Sequence, residues 1–121
     1  MTGKQTGLKR VFKAALYSLA GLRAAWRHEA AFRQECVLAA VMIPGAFWLG
    51  RDAAERSLLI ASVCLVLIVE LINSAVESAV DRVGTEHHPL AGRAKDLGSA
   101  AVFLSLLLAL AIWTMIAVSR L

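Results

Sequence analysis

The chain has 121 residues, of which 59% are hydrophobic and 18% are charged, and its formal net charge is +4. With a mean hydropathy of +0.66 it has room for one small domain but is too apolar for an ordinary water-soluble one. This composition indicates a membrane protein and argues against a nucleic-acid-binding one, because the basic residues lie beside a predicted span and no nucleic-acid-binding module is recognisable.

Residues 5–28 are predicted to form an amphipathic helix that lies in the membrane interface. The apolar side chains that share one helical face are Leu8, Val11, Phe12, Ala15, Leu19, Leu22 and Trp26. The opposite face carries Lys9, Arg10, Lys13, Tyr17 and Arg27. Such a helix is either a simple membrane anchor or a surface whose basic residues face a phosphate-bearing ligand, and composition leaves both open.

Transmembrane helices are predicted at residues 31–49, 57–82 and 97–119, each close to or above the roughly 20 residues that a span needs. No cleavable signal peptide is predicted ahead of them. Basic residues are concentrated before the first span, so the positive-inside rule predicts a cytoplasmic amino terminus. The 83–96 loop is then cytoplasmic, and the carboxyl terminus lies on the opposite side of the membrane.

Four polar residues of the second predicted span fall on one side of the helix: Glu70, Asn73, Glu77 and Asp81. Their spacing of three, four and four places them within an arc of roughly 80°. We call this set the acidic face. Ionisable groups at membrane depth are costly to bury and usually mark a functional site.

The chemistry of the acidic face stays open at this point. Glu29 and the charged residues at the start of the third span, including Lys95 and Asp96, are predicted to converge with it. This set of residues suits phosphoryl transfer. That reaction needs carboxylates to hold magnesium, a cation to offset phosphate charge and a base to accept the proton of the attacking hydroxyl. The same carboxylates equally suit a proton or cation path, or helix packing through ion pairs with Arg33, Arg82 or Arg93. The sequence lacks the phosphate-loop and protein-kinase motifs of soluble kinases.

Three motifs resemble those of the prokaryotic diacylglycerol kinase family: RAAWRHEAAFRQE at 23–35, IVELINSAVESAVDRVG at 68–84 and GRAKDLGSAAV at 92–102. They occur in the family's order over nearly the whole chain. The resemblance implies an all-α membrane protein with an interfacial amino-terminal helix and three transmembrane helices, which assembles as a homotrimer in the bacterial inner membrane.

The implied activity is transfer of the γ-phosphoryl group of MgATP to the hydroxyl of diacylglycerol, which gives phosphatidic acid and ADP. An undecaprenol kinase of the same architecture is the alternative within the enzyme class. Outside that class, the alternative is a non-enzymatic membrane subunit or a cation transporter.

The resemblance also implies roles for individual residues. Glu70 would be the general base, and Glu29 and Glu77 would bind Mg²⁺ together with the nucleotide. The nucleotide-binding set would be Arg10, Tyr17, Glu29, Glu77, Glu86, His87, His88, Lys95 and Asp96. The lipid-substrate set would be Arg10, Glu70 and Ser99. Asn73 and Asp81 would support the acidic face.

Overall fold

The computed structural model describes residues 6–84 and 86–121. Within these residues the chain forms four helices and no strand: α1 at Gly7–His28, α2 at Ala30–Leu49, α3 at Ala53–Val83 and α4 at Pro89–Ser119. In the same described part, α2, α3 and α4 are each long and apolar enough to cross a membrane. The predicted all-helical architecture is therefore confirmed, and the chain fits a multi-pass membrane protein.

Helix α1 is capped by Thr6, whose Oγ1 accepts the Lys9 backbone N–H at 3.4 Å. The predicted start at Gln5 lies outside the described residues. Ala25 is buried, whereas Leu8 and Phe12 are 87% and 65% exposed in the single chain. This apolar exposure agrees with a helix that lies against lipid or against another copy of the chain.

A single extended residue, Glu29, separates α1 from α2. Its backbone N–H still donates to Ala25 O at 2.9 Å, which ends α1. Arg33 Nη1 on α2 donates to Trp26 O at 2.7 Å and to Arg27 O at 3.2 Å. Two of the last carbonyls of α1 are thereby satisfied, and the corner at Glu29 between α1 and α2 is held in place.

The helix bundle is built on α3, which packs against α2 on one side and α4 on the other. Its small apolar core contains Ala46, Leu59 and Ile116, of which Ala46 and Leu59 are fully buried. Trp113 Nε1 on α4 donates to Ser62 Oγ on α3 at 3.1 Å, and Ser62 is 3% exposed. Packing of small residues and interhelical hydrogen bonds are the usual means of holding membrane helices together.

Arg51 joins the short α2–α3 connection to the end of α4. Its Nη2 donates to Glu55 Oε2 at 2.6 Å and to Ser119 Oγ at 2.9 Å. The hydrogen bond with Glu55 raises the pKa of the Arg51 guanidinium above its ordinary value. Asp52 caps α3 by accepting the Glu55 N–H at 2.9 Å.

A second arginine closes the same end of the bundle. Arg120 Nη1 donates to Leu49 O at 2.7 Å and to Trp48 O at 3.1 Å, so it satisfies carbonyl groups at the end of α2. Its guanidinium also lies 5.7 Å from the centre of the Trp48 ring. This end of the bundle is therefore held by contacts between distant parts of the sequence.

Helix α4 begins earlier than the sequence predicted. The loop predicted at 83–96 is shorter in the structure, because α4 starts at Pro89 and carries Lys95 and Asp96 within its first turns. His88 Nδ1 accepts the Leu90 N–H at 3.0 Å, and Pro89 occupies the first helical turn. Of the residues between the two helices, Thr85 lies outside the described part of the chain.

Candidate active site

The acidic face of α3 runs from a buried end to an exposed end. Glu70 is 7% exposed, Asn73 and Glu77 are half-buried, and Asp81 is exposed near the end of the helix. Glu70 Oε2 is buried and has no hydrogen-bond partner among the described residues. A buried carboxyl oxygen without a partner costs free energy, so Glu70 is a candidate functional residue of this face.

Asn73 orients one oxygen of Glu77. Asn73 Nδ2 donates to Glu77 Oε1 at 3.2 Å along the i, i+4 direction of α3. Asn73 Oδ1 on the other side of the amide is buried and accepts no hydrogen bond from any described residue. Glu77 therefore has one oxygen held by an amide and the other oxygen available to a ligand.

Glu29 brings a further carboxylate from the α1–α2 corner. The charges of both Glu77 and Glu29 act on the Glu70 carboxyl group, so the three lie in one region. Across residues 6–84 and 86–121, no group of three His, Cys, Asp or Glu side chains is close enough to hold a metal ion. A magnesium site does not need such a cage, because Mg²⁺ is commonly held by one or two carboxylates with water and substrate phosphates. Glu29 and Glu77 supply carboxylates of the kind that such a site uses.

Lys95 on α4 meets the exposed end of the acidic face. Its Nζ lies 2.8 Å from Asp81 Oδ1, and the two side chains are 46% and 52% exposed. The partner of Asp81 is thus a lysine on the next helix. In the described part of the chain, the ion pairs with Arg33, Arg82 or Arg93 that a packing role predicts are absent.

A small polar cavity of about 140 Å³ lies where α3 ends and α4 begins. Its charged and imidazole lining consists of Asp81, Glu86, His87, His88 and Lys95. Four residues of the predicted nucleotide-binding set, Glu86, His87, His88 and Lys95, thus line one cavity, whereas Glu77 and Asp96 are not part of its lining. Asp96 follows Lys95 on α4 and is exposed.

The remaining predicted site residues lie apart from this cavity. Arg10 and Tyr17 are exposed on α1 and hydrogen-bond to no acidic-face residue among those described. Ser99 is exposed on α4. The single chain alone does not gather the full predicted set.

A larger open groove of about 550 Å³ separates α1 from α3. Its polar lining includes Ser18 and Glu29 from one side and Ser74 and Ser78 from the other. The groove thus lies between α1 and a neighbouring face of α3, and its lining includes Glu29 but none of the four acidic-face residues.

Two residues of this region were not predicted from the sequence. Glu35 Oε2 is buried without a hydrogen-bond partner among the described residues, and the charge of Glu70 acts on Glu35. An ionisable residue inside the predicted 31–49 span was the available signal. Gly98 lies directly against Asn73, so that a Cβ added there would overlap Asn73 Oδ1. The small residues Ala94 and Gly98, four positions apart, indicate a close helix approach at this face but not that Asn73 is the residue met there.

The family model described as prokaryotic diacylglycerol kinase matches residues 16–117. A diacylglycerol kinase of Escherichia coli (strain K12) is 55% identical over 113 residues, which are 93% of this chain and 93% of that protein. A diacylglycerol kinase of Haemophilus influenzae is 52% identical over 110 residues, covering 91% of this chain and 93% of that protein. A diacylglycerol kinase of Pseudomonas aeruginosa is 55% identical over 112 residues, covering 93% of this chain and 91% of that protein.

Proposed function

The chain belongs to the prokaryotic diacylglycerol kinase family, and we propose that it transfers the γ-phosphoryl group of ATP to the hydroxyl of diacylglycerol. It is an ATP-dependent lipid kinase whose products are phosphatidic acid and ADP. The observation that carries the proposal is Glu70, a carboxylate at membrane depth with a buried oxygen that no described residue satisfies.

Glu70 acts as the general base. The lipid hydroxyl oxygen forms a bond to the γ-phosphorus while the bond from that phosphorus to the β,γ-bridging oxygen breaks, and ADP leaves with the bridging oxygen. The hydroxyl proton passes to Glu70 Oε2. A carboxylate held on a rigid helix and shielded from water is suited to accept this proton as the new bond forms.

Glu77 and Glu29 are the residues that would hold Mg²⁺ with the nucleotide. When bound, the ion offsets charge on the phosphate oxygens. Glu77 follows Glu70 by seven residues, or about 10 Å of helix, so the two carboxylates belong to different parts of one site. Asn73 leaves one Glu77 oxygen available for this task by holding the other.

The nucleotide lies at the junction of α3 and α4. Lys95 supplies positive charge for the phosphates, and Glu86, His87 and His88 line the neighbouring cavity. Asp96 lies beside Lys95, while Arg10 and Tyr17 contribute from α1. Arg10 and Ser99 also contact the lipid substrate near the membrane surface. Asp81 supports the site by holding Lys95 through the 2.8 Å ion pair.

The protein works as a homotrimer in the bacterial inner membrane, with the amino terminus and the α3–α4 connection in the cytoplasm. The apolar face of α1 has no protein partner among the described residues, so it is available to lipid or to another copy of the chain. The basic residues that precede the first span support this orientation. The carboxyl terminus then lies on the opposite side.

Phosphoryl transfer to the two lipid classes tests the acceptor directly. Purified protein in mixed micelles receives γ-labelled ATP and magnesium, with diacylglycerol in one reaction and undecaprenol in another. We expect label in phosphatidic acid, and Glu70→Gln protein of the same fold serves as the negative control. Label in undecaprenyl phosphate alone would show that the acceptor is undecaprenol and not diacylglycerol. Folded protein that labels neither lipid would contradict the kinase assignment.

A further inference from the structure

At Gly98 the backbone of α4 lies directly against the acidic face. The position that a Cβ would take on Gly98 is occupied by Asn73 Oδ1, and the Asn73 Cγ lies 3.2 Å from the same point. Asn73 Oδ1 is buried and accepts no hydrogen bond from the described residues. Because Gly98 has no side chain, the Asn73 amide has room to lie against the α4 backbone.

The contact with Gly98 also affects the direction of the Asn73 Nδ2 group. Asn73 Nδ2 donates to Glu77 Oε1 at 3.2 Å, so the amide lies between the backbone of α4 and the carboxylate of Glu77. A methyl group at Gly98 would meet the amide oxygen far inside van der Waals contact. The amide can give way only by turning about its side-chain bonds, and this turn moves the Nδ2 donor relative to Glu77 Oε1.

We propose that Gly98 is a positioning residue for the metal–nucleotide site, which acts by holding the Asn73 amide on Glu77. The proposal rests on the assignment of Glu77 as a ligand of the metal that accompanies ATP. Partners that orient a ligating carboxylate through hydrogen bonds are part of a metal site, although they do not touch the ion. Gly98 does not touch the carboxylate of Glu77. It determines where Asn73, the hydrogen-bond partner of Glu77, can lie.

The first test is Mn²⁺ binding to Gly98→Ala protein in the presence of a non-hydrolysable ATP analogue, followed by electron paramagnetic resonance. We expect the Mn²⁺ affinity to fall by roughly tenfold, the range seen when an outer partner of a metal ligand is removed. In activity assays, the magnesium concentration for half-maximal rate should rise by a similar factor, whereas kcat at saturating magnesium should change much less.

Gly45→Ala is the matched control. Gly45 also lies inside a membrane helix, but a Cβ added there meets no atom within 4 Å. It should bind Mn²⁺ as the unaltered protein does. Equal affinity in Gly98→Ala and unaltered protein, both folded, would overturn the proposal.

A double substitution tests whether Gly98 acts through Asn73, and it remains informative if Gly98→Ala alone does not fold. Asn73→Ala removes both the amide and the atom that a methyl group at 98 would strike. Asn73→Ala and Asn73→Ala/Gly98→Ala proteins should therefore bind Mn²⁺ with the same reduced affinity. A further loss in the double variant would overturn the proposal, since Gly98 would then act by another route.

Glu77→Gln separates this inference from the proposed function. If Glu77→Gln protein keeps full Mn²⁺ affinity, the assignment of Glu77 as a ligand is wrong and the role of Gly98 fails with it. If Glu77→Gln loses Mn²⁺ binding but Gly98→Ala does not, only the Gly98 inference fails.

Discussion

Lys95 Nζ of α4 lies 2.8 Å from Asp81 Oδ1 of α3, which makes this ion pair the polar link between the two helices at the proposed nucleotide site. Both side chains are about half exposed, so the pair adds little to the stability of the fold. Its importance lies in presenting a cation beside the α3–α4 cavity.

The first prediction concerns the two halves of this ion pair. Lys95→Met should weaken MgATP binding by roughly tenfold or more, because it removes the cation that faces the phosphates. Asp81→Asn should have a much smaller effect, since it leaves that cation in place. Equilibrium binding of a fluorescent ATP analogue to both variants measures the difference. Equal losses of affinity, with equal losses of thermal stability, would instead indicate a pair that only holds the helices together.

The second prediction concerns the opposite end of the bundle. Arg120→Ala should lower the free energy of unfolding by about 1–2 kcal/mol, because the carbonyls of Trp48 and Leu49 lose their donor. Arg120→Lys keeps the charge and should recover part of that loss. Unfolding in a detergent titration measures the stability. The KM for ATP should stay unchanged in both variants, and a change would mean that the two ends of the bundle are energetically linked.

The third prediction concerns the hydrogen bond between α3 and α4. Ser62→Ala should destabilise the fold by about 0.5–1.5 kcal/mol, because the Trp113 N–H loses its acceptor. Ser105→Ala is the matched control: Ser105 is also buried, and its Oγ donates to Val102 O of its own helix at 2.7 Å. If both variants lose the same stability, the Ser62–Trp113 contact contributes nothing measurable.

The sequence predicts the helices and the acidic face well because both depend on periodicity. Residues spaced by three and four positions must share a helical face, and Glu70, Asn73 and Glu77 do so. Hydropathy likewise locates α2, α3 and α4, since length and apolar content suffice for that. The start of α4 was misplaced because Arg93, Lys95 and Asp96 lower the local hydropathy without interrupting the helix.

Contacts between helices are not contained in such patterns. The approach of Gly98 to Asn73 depends on the rotation and separation of α3 and α4, which residue spacing does not fix. The same holds for the electrostatic contact of Glu35 with Glu70 across α2 and α3. The roles of Glu70, Glu77 and Lys95 are implied by the family resemblance, and substitutions at these three residues test them.

The fourth prediction concerns the different roles proposed for Glu70 and Glu77, as general base and as metal ligand. Glu70 and Glu77 are seven residues apart on the same helix, and both substitutions to Gln remove a charge while nearly preserving side-chain volume. Each variant is therefore the natural control for the other.

The most direct measurement is MgATP binding and lipid phosphorylation by these two variants, purified and folded alike. Glu70→Gln should lose phosphoryl transfer by at least about a hundredfold while it retains MgATP affinity, as expected for a general base. Glu77→Gln should lose metal-dependent nucleotide affinity. The reverse pattern, in which Glu70→Gln loses MgATP binding and Glu77→Gln keeps it, would contradict the assignment of Glu70 as the base and Glu77 as the metal ligand.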